Sequence, residues 1–427
     1  MDIRDAELMK ASMFYINVAC FLLLALWPSF FSIYSSASST TSGLLAATVI
    51  VFLILLRYDK FVKIPVNWAI ILIGMLLWIL LIIPGVGGVQ YPLKSYLSLL
   101  IAIFLWFFVF FIETWFEKCD NHTCYRLMQR AWIILAVIGW LGFFFKIRLF
   151  GYAKIPRSIF PFSEPSHFAI VAGPIYMAAF FLTSNKTKLF ILINIVFQAM
   201  LFHNLSLFVY AVLIALIACQ IRMRKTLIPI LFTGLILSIL VGVFIENPVY
   251  MQYCANRLTL SSKDNKNLTS LVVLQGIYAA RDSLIDTGGV GLGFQMLGTE
   301  KPNKITKIIT TIMNGIELSR PEGGFIAAKL IAELGVVGIL LTGFAFMAML
   351  RSFFWLRQYW RMHMQVILKR SNSQLKLVIA HSLIVGFFVE MFLRGIGYFS
   401  LGVIFFIFSL LYVRRYNQSV INDKAER

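Results

Sequence analysis

Apolar residues along the chain fall into repeated blocks of roughly 15 to 25, each long enough to cross the ~30 Å hydrocarbon core of a bilayer as a helix. Read against their polar flanks, the blocks predict spans at 13–34, 43–56, 67–84, 95–112, 131–149, 167–183, 189–203, 205–221, 227–246, 326–350, 377–394 and 396–413. The expected fold is all-α: a polytopic transmembrane helical protein of about 12 spans with one long, partly helical outer loop. Three regions follow: 1–246 with helices 1–9 and short loops, 247–325 as the long loop, and 326–427 with helices 10–12 and a tail. Register is softest at 189–221, where only His203, Asn204 and Leu205 separate two short blocks, so the segment reads either as two crossings or as one broken helix.

Composition fits this pattern and excludes others. Apolar residues make up 60% and charged residues 13%, against about 25% charged in a soluble domain. The excess of 38 Lys+Arg over 19 Asp+Glu would suggest nucleic acid on a soluble chain. Here the basic residues sit mostly in alternate short loops, which makes them a topology signal rather than a polyanion groove. Arg57, Lys60, Lys118, Arg130, Lys186, Arg222, the stretch Arg351–Lys376 and Arg414 mark the cytoplasmic set, whereas 35–42 and 85–92 carry no charge. Both termini are then cytoplasmic. The opening MDIRDAELMK has neither the basic start nor the cleavage site of a signal peptide, so the first block is expected to remain as a span. Cys20, Cys119, Cys124, Cys219 and Cys254 are scattered, with only His122 beside the central pair, and no metal or disulfide role is assigned to them.

The long loop has near-balanced charge, with Arg281, Lys301, Lys304 and Arg320 among its cations and Asp282, Asp286, Glu300, Glu317 and Glu322 among its anions. Within it, LTSLVVLQGIYAARDSL reads as an amphipathic helix stopped by Thr287, Gly288 and Gly289. It is expected to lie along the outer membrane face.

Three constellations could carry chemistry. KIPRSIFPFSEPSHFAI, 154–170, gathers Arg157, Glu164 and His167 just ahead of a helix whose first turn holds Pro165; its plain alternative is a capped helix start. In VEMFLRGIGYF, 389–399, Glu390 and Arg394 stand four apart on one predicted helical face. Charge near the membrane interior costs roughly 2.5 to 3.5 kcal/mol, so such a pair should face protein or a water-filled cavity, as a structural ion pair or as an anion site. The third, GGVGLGF at 288–294, lacks the Lys-Ser/Thr ending of a P-loop, and either brings backbone close to a ligand or simply turns the chain. No H-E-x-x-H, G-x-S-x-G, Asp-x-Asp or ATP-binding set occurs, which weakens metal-dependent glycosyl transfer, serine hydrolysis and ATP-driven transport.

Taken together, S-E-P-S-H at 163–167, LVVLQG followed by TGGVGLGFQMLG at 271–298, LIAELGVVG at 330–338 and E-x-x-x-R-G-x-G-Y-F at 390–399 resemble the bacterial O-antigen polymerase family, Wzy, over about 155–400. The resemblance implies a glycosyltransferase at the periplasmic face of the inner membrane, using undecaprenyl-diphosphate-linked oligosaccharide and needing no cofactor or metal. It would move a growing glycan onto a new lipid-linked repeat unit, with a chain-length regulator and a flippase as neighbours and no nucleic acid as partner. On that reading Arg157, Arg281, Arg320 and Arg394 would hold diphosphate. Glu164 and His167 would lead as bases, with Glu322, Glu333 and Glu390 behind them or orienting arginines. The related ligase carries a histidine shortly before its glutamate-glycine helix, and none occurs here from 304 to 362. A lipid-linked oligosaccharide flippase or similar transporter is the alternative from another class, although it needs no outer segment as long as 247–325.

Overall fold

In a computed structural model of the protein, the residues described are 3–34, 40–58, 72, 74–76, 93–145, 158–219, 268–315, 317–365 and 373–425. All regular structure among them is helical apart from one isolated bridge between Ile159 and Phe162. The helices are α1 (Ile3–Tyr34), α2 (Thr40–Tyr58), α3 (Leu93–Lys118), α4 (Asn121–Phe145), α5 (Pro165–Leu182), α6 (Asn185–Leu201), α7 (Leu205–Ala218), α8 (Leu268–Asp286), α9 (Lys304–Ile312), α10 (Ile326–Gln365), α11 (Ser373–Phe392) and α12 (Leu401–Ala425). Among the described residues, seven spans, in α1 to α5, α10 and α11, are long and apolar enough to cross a membrane. This is a polytopic helical membrane protein. The expected span 227–246 lies outside the described residues, as does most of 67–84.

Helices α5 and α11 form the centre, with 78% and 83% of their apolar spans buried against 33% for α10. Small residues allow the close approach. A Cβ on Gly386 would fall 2.7 Å from Pro174 Cβ, and one on Gly173 would fall 2.1 Å from the ring of Tyr210. Tyr210 then donates its hydroxyl to the Gly386 carbonyl at 2.9 Å, joining α5, α7 and α11 at one buried point. Backbones that touch gain van der Waals contact, the main source of helix association where lipid removes the hydrophobic drive. The soft register at 189–221 resolves into two helices, α6 and α7, which turn at Phe202–Asn204 and pack on each other. Asn204 caps α7 by accepting from the amides of Ser206 and Leu207 at 2.9 and 3.3 Å.

The helix expected in the long loop is α8, ending at the Thr287–Gly289 stop. Its buried Val272, Ala279, Ala280 and Ser283 lie against α10 and the turn before it, so this face is covered by protein. Helix α10 itself is broken at Gly335 (φ 58°, ψ −130°). The break frees two carbonyls, and the glycine loop after α8 uses them: Leu292 N donates to Ala332 O at 2.9 Å and Gly293 N to Glu333 O at 2.8 Å. Val336 N returns the contact to Gly289 O at 2.8 Å. A Cβ on Gly291 would sit 2.5 Å from Glu333 O. The glycines therefore let this loop lie flat on a broken helix, which is the close backbone approach that the run required.

The bundle has two distinct ends. One unites the end of α1, residues 158–164, the α6–α7 turn, the loop 288–298, the turn 320–325 and the segment 393–400. These are the segments placed together as outer loops by charge. The other gathers Glu113, Glu117, Lys376 and Arg415 from the basic set.

Candidate functional site

At the first of these ends, residue 164 closes an extended segment and opens α5, with Pro165 in the first turn, where its missing amide costs nothing. Ser163 is held in place by its amide, which donates to Ser29 Oγ at 3.1 Å, and its own hydroxyl lies 2.9 Å from His167 Nδ1. Ser166 Oγ donates to Glu164 Oε2 at 2.8 Å. The same carboxylate oxygen accepts from Arg394 at 3.0 Å, an ion pair between residues 230 apart in sequence. Burial pushes the Glu164 carboxyl up, but Arg394, His167 and Ser166 outweigh it and hold the group below the usual carboxylate range.

That contact corrects the expected Glu390–Arg394 pair. Helix α11 stops at Phe392, so Arg394 leaves the helical face, and Gly395 N fastens its segment to Gly324 O at 2.9 Å. Gly397 follows at φ 95°. Glu390 stays behind in the bundle beside Ser400, packed so tightly on Gly402 that a Cβ there would lie 1.8 Å from Oε2. The two residues occupy different environments.

Arg394 also brings Glu322 into play. This carboxylate, at the end of the 3-10 turn Arg320–Glu322, feels Arg394, Lys329, Glu164 and Lys94. Burial raises its pKa, and the cations only partly oppose that. Glu322 makes no side-chain hydrogen bond or ion pair among the described residues. Beneath it, Lys329 is 3% exposed; its Nζ donates to Pro321 O at 2.6 Å and Gln295 Oε1 at 3.2 Å, and lies 3.5 Å from Glu333 Oε1. Glu333, fully buried, accepts from Gln295 N at 2.9 Å and Leu297 N at 3.2 Å, so its role is to hold the glycine loop. Tyr398 stacks on Phe294 at 5.7 Å between ring centroids and offers its face to Lys329 at 5.1 Å.

The other arginines are placed differently. Arg320 is 8% exposed; Nη1 reaches Glu317 at 2.7 and 2.8 Å, Nη2 donates to the Glu300 carbonyl, and the buried Nε lies 3.7 Å from the Glu300 carboxylate. It braces the loop and has little left for an anion. Arg281 is exposed on α8 and makes no hydrogen bond or ion pair with the cluster among the described residues. Arg157 lies outside the described residues. Sequence reasoning missed Lys329 and Lys94 as cations of the cluster. Lys329 was visible by the same rule applied to Glu390, because it stands four residues before Glu333 in an apolar helix.

Beside the cluster lies a small apolar cleft of about 30 Å³ between α1, α2, α5 and 396–402, lined by Leu24, Leu44, His167, Ile170, Phe399 and Gly402. His167 thus joins Ser163, next to Glu164, to the apolar wall. A second hollow lies at the opposite end around Cys119, Asp120, His122 and Tyr125. There Asp120 caps α4 by accepting from Thr123 N at 2.8 Å, so its carboxylate has a structural task. Among the described residues no group of three or more His, Cys, Asp or Glu is placed to hold a metal ion. No family model matches the chain, and no curated protein or solved structure matches it either.

Proposed function

We propose that the chain is a membrane glycosyltransferase of the polysaccharide-polymerase type, acting on sugars linked to undecaprenyl diphosphate at the periplasmic face of a bacterial inner membrane. The observation that carries this reading is the Glu164–Arg394 ion pair at the start of α5, one helical turn before His167, which lines a small apolar cleft. One guanidinium nitrogen of Arg394 holds Glu164, and the others make no bond among the described residues. They are donors suited to a departing diphosphate, whose charge develops as the glycosyl bond breaks. In this reading the chain of the lipid carrier lies along the apolar helices beside the pair, and a carboxylate beside Arg394 takes the proton of the attacking hydroxyl.

In this scheme, transfer of the glycan to the next lipid-linked repeat unit draws its energy from the diphosphate leaving group, and no cofactor is required. A chain-length regulator and a flippase are the expected neighbours. The test is deletion of the gene in its host, with surface glycans resolved on a gel. A ladder that collapses to a single capped unit supports polymerase. Loss of every glycan form would overturn it in favour of the ligase or the flippase, and accumulation of the lipid-linked unit on the inner leaflet would identify the flippase.

A further inference from the structure

The cluster around Arg394 holds two carboxylates, and their surroundings push them toward different tasks. Glu164 is committed, with Arg394 at 3.0 Å and Ser166 at 2.8 Å on one oxygen. Among the described residues Glu322 has no such partner, yet it is held in place: Lys329 grips the Pro321 carbonyl one residue before it, and Gly395 N grips Gly324 O two residues after it. The second contact ties the 320–324 turn to the segment carrying Arg394. The buried end of Lys329 is itself fixed by Gln295 and Glu333.

We propose that Glu322 is the proton acceptor of the reaction and that Lys329 is its positioning residue, a role that rests on the polymerase reading. In the step, the acceptor sugar's hydroxyl oxygen forms a bond to the anomeric carbon of the donor while the bond from that carbon to the diphosphate oxygen breaks. The hydroxyl proton passes to Glu322 and then to water, and the lipid diphosphate leaves as an anion beside Arg394 and Lys94. Glu164 keeps Arg394 in place throughout. The charged and titratable groups facing Glu322 are Lys94 from α3, Glu164 at the start of α5, Lys329 from α10 and Arg394 from the segment after α11. Removing Lys329 deletes one of the cations that hold its pKa down. The acidic limb of the activity profile then moves to higher pH, because the base must be ionised to act.

The experiment uses the full-length protein in lipid vesicles with a lipid-linked repeat unit, and measures polymer formation across pH for wild type, Glu322→Gln, Lys329→Met and Gln295→Met. Glu322→Gln is expected to lose at least about 100-fold, the low end of general-base contributions. Lys329→Met should shift the acidic limb upward. Gln295→Met, which removes a partner of the lysine and keeps its charge, should lower the level without moving the limb. A merely structural lysine would behave as Gln295 does. Activity of Glu322→Gln within about threefold of wild type, or an unmoved limb in Lys329→Met, would overturn the proposal. Carbodiimide labelling of carboxyl groups, read by mass spectrometry, gives a second readout: Glu322 should label to higher pH than Glu164, and higher still in Lys329→Met. Wild-type protein that inserts but forms no polymer would sink the polymerase reading and the base assignment together. The labelling then decides the Lys329–Glu322 coupling alone, and an unchanged profile removes that too.

Discussion

The two ends of the bundle each tie distant helices with an arginine, and they do so in opposite ways. At the basic end Arg415 engages two carboxylates, Glu113 at 3.1 Å and Glu117, while Lys376 donates to the Glu117 carbonyl at 2.8 Å. Those contacts bind α3, α11 and α12 and leave Arg415 largely occupied. At the other end Arg394 meets one carboxylate oxygen, with a second carboxylate nearby that makes no side-chain bond among the described residues and a small apolar cleft alongside. What separates a staple from a site is therefore the unused bonding capacity around the cation, not the presence of an ion pair.

The comparison breaks most sharply at Arg394. Arg394→Ala should cost at least about 100-fold in polymer, the scale of losing a donor to developing charge, and Arg394→Lys roughly tenfold because the fork is lost. Both are measured on a glycan gel with membrane levels of the protein checked; wild-type polymer in both would make this end a staple as well. Next comes Gly335→Ala, where the positive φ and a Cβ 1.9 Å from Gly289 O must displace the glycine loop. Strain of about 1 to 3 kcal/mol should free residues 288–298 to protease and reduce polymer about tenfold in the same assay. At the opposite end Arg415→Ala should leave polymer unchanged and lower thermal stability by about 1 to 2 kcal/mol. Glu113, 1% exposed, loses its cation, but Arg415 is 36% exposed and partly screened. Arg281→Ala should have the smallest effect, within about 0.5 kcal/mol in stability and near wild-type polymer. Complete loss there would bring the Arg281 face of α8 into the substrate path.

Much of the architecture is legible in the sequence because burial in lipid writes it in long apolar blocks, and the α8 stop at Thr287–Gly289 is legible because glycine chemistry is local. The site is legible in pieces. Glu164, His167 and Arg394 stand out as polar groups at the ends of apolar helices, but no periodicity encodes a contact between residues 164 and 394. The Glu390–Arg394 expectation fails because spacing of four implies a shared face only while the helix lasts. The glycines at 395 and 397 signal that it ends. Arg320 was half readable, with Glu317 three residues before it, whereas its bond to Glu300 depends on how the loop folds back.

The break in α10 also says where one working part of the molecule gives way to another. Residues 326–334 belong by their bonds to the glycine loop, α8 and the 320–324 turn, and the long lipid-facing rod begins only at Val336. A transplant of the recognition unit into a related scaffold should therefore be cut at Gly335 rather than at the end of the polar loop. A graft ending at 325 would leave Lys329 and Glu333 behind and carry across a loop with nothing to rest on.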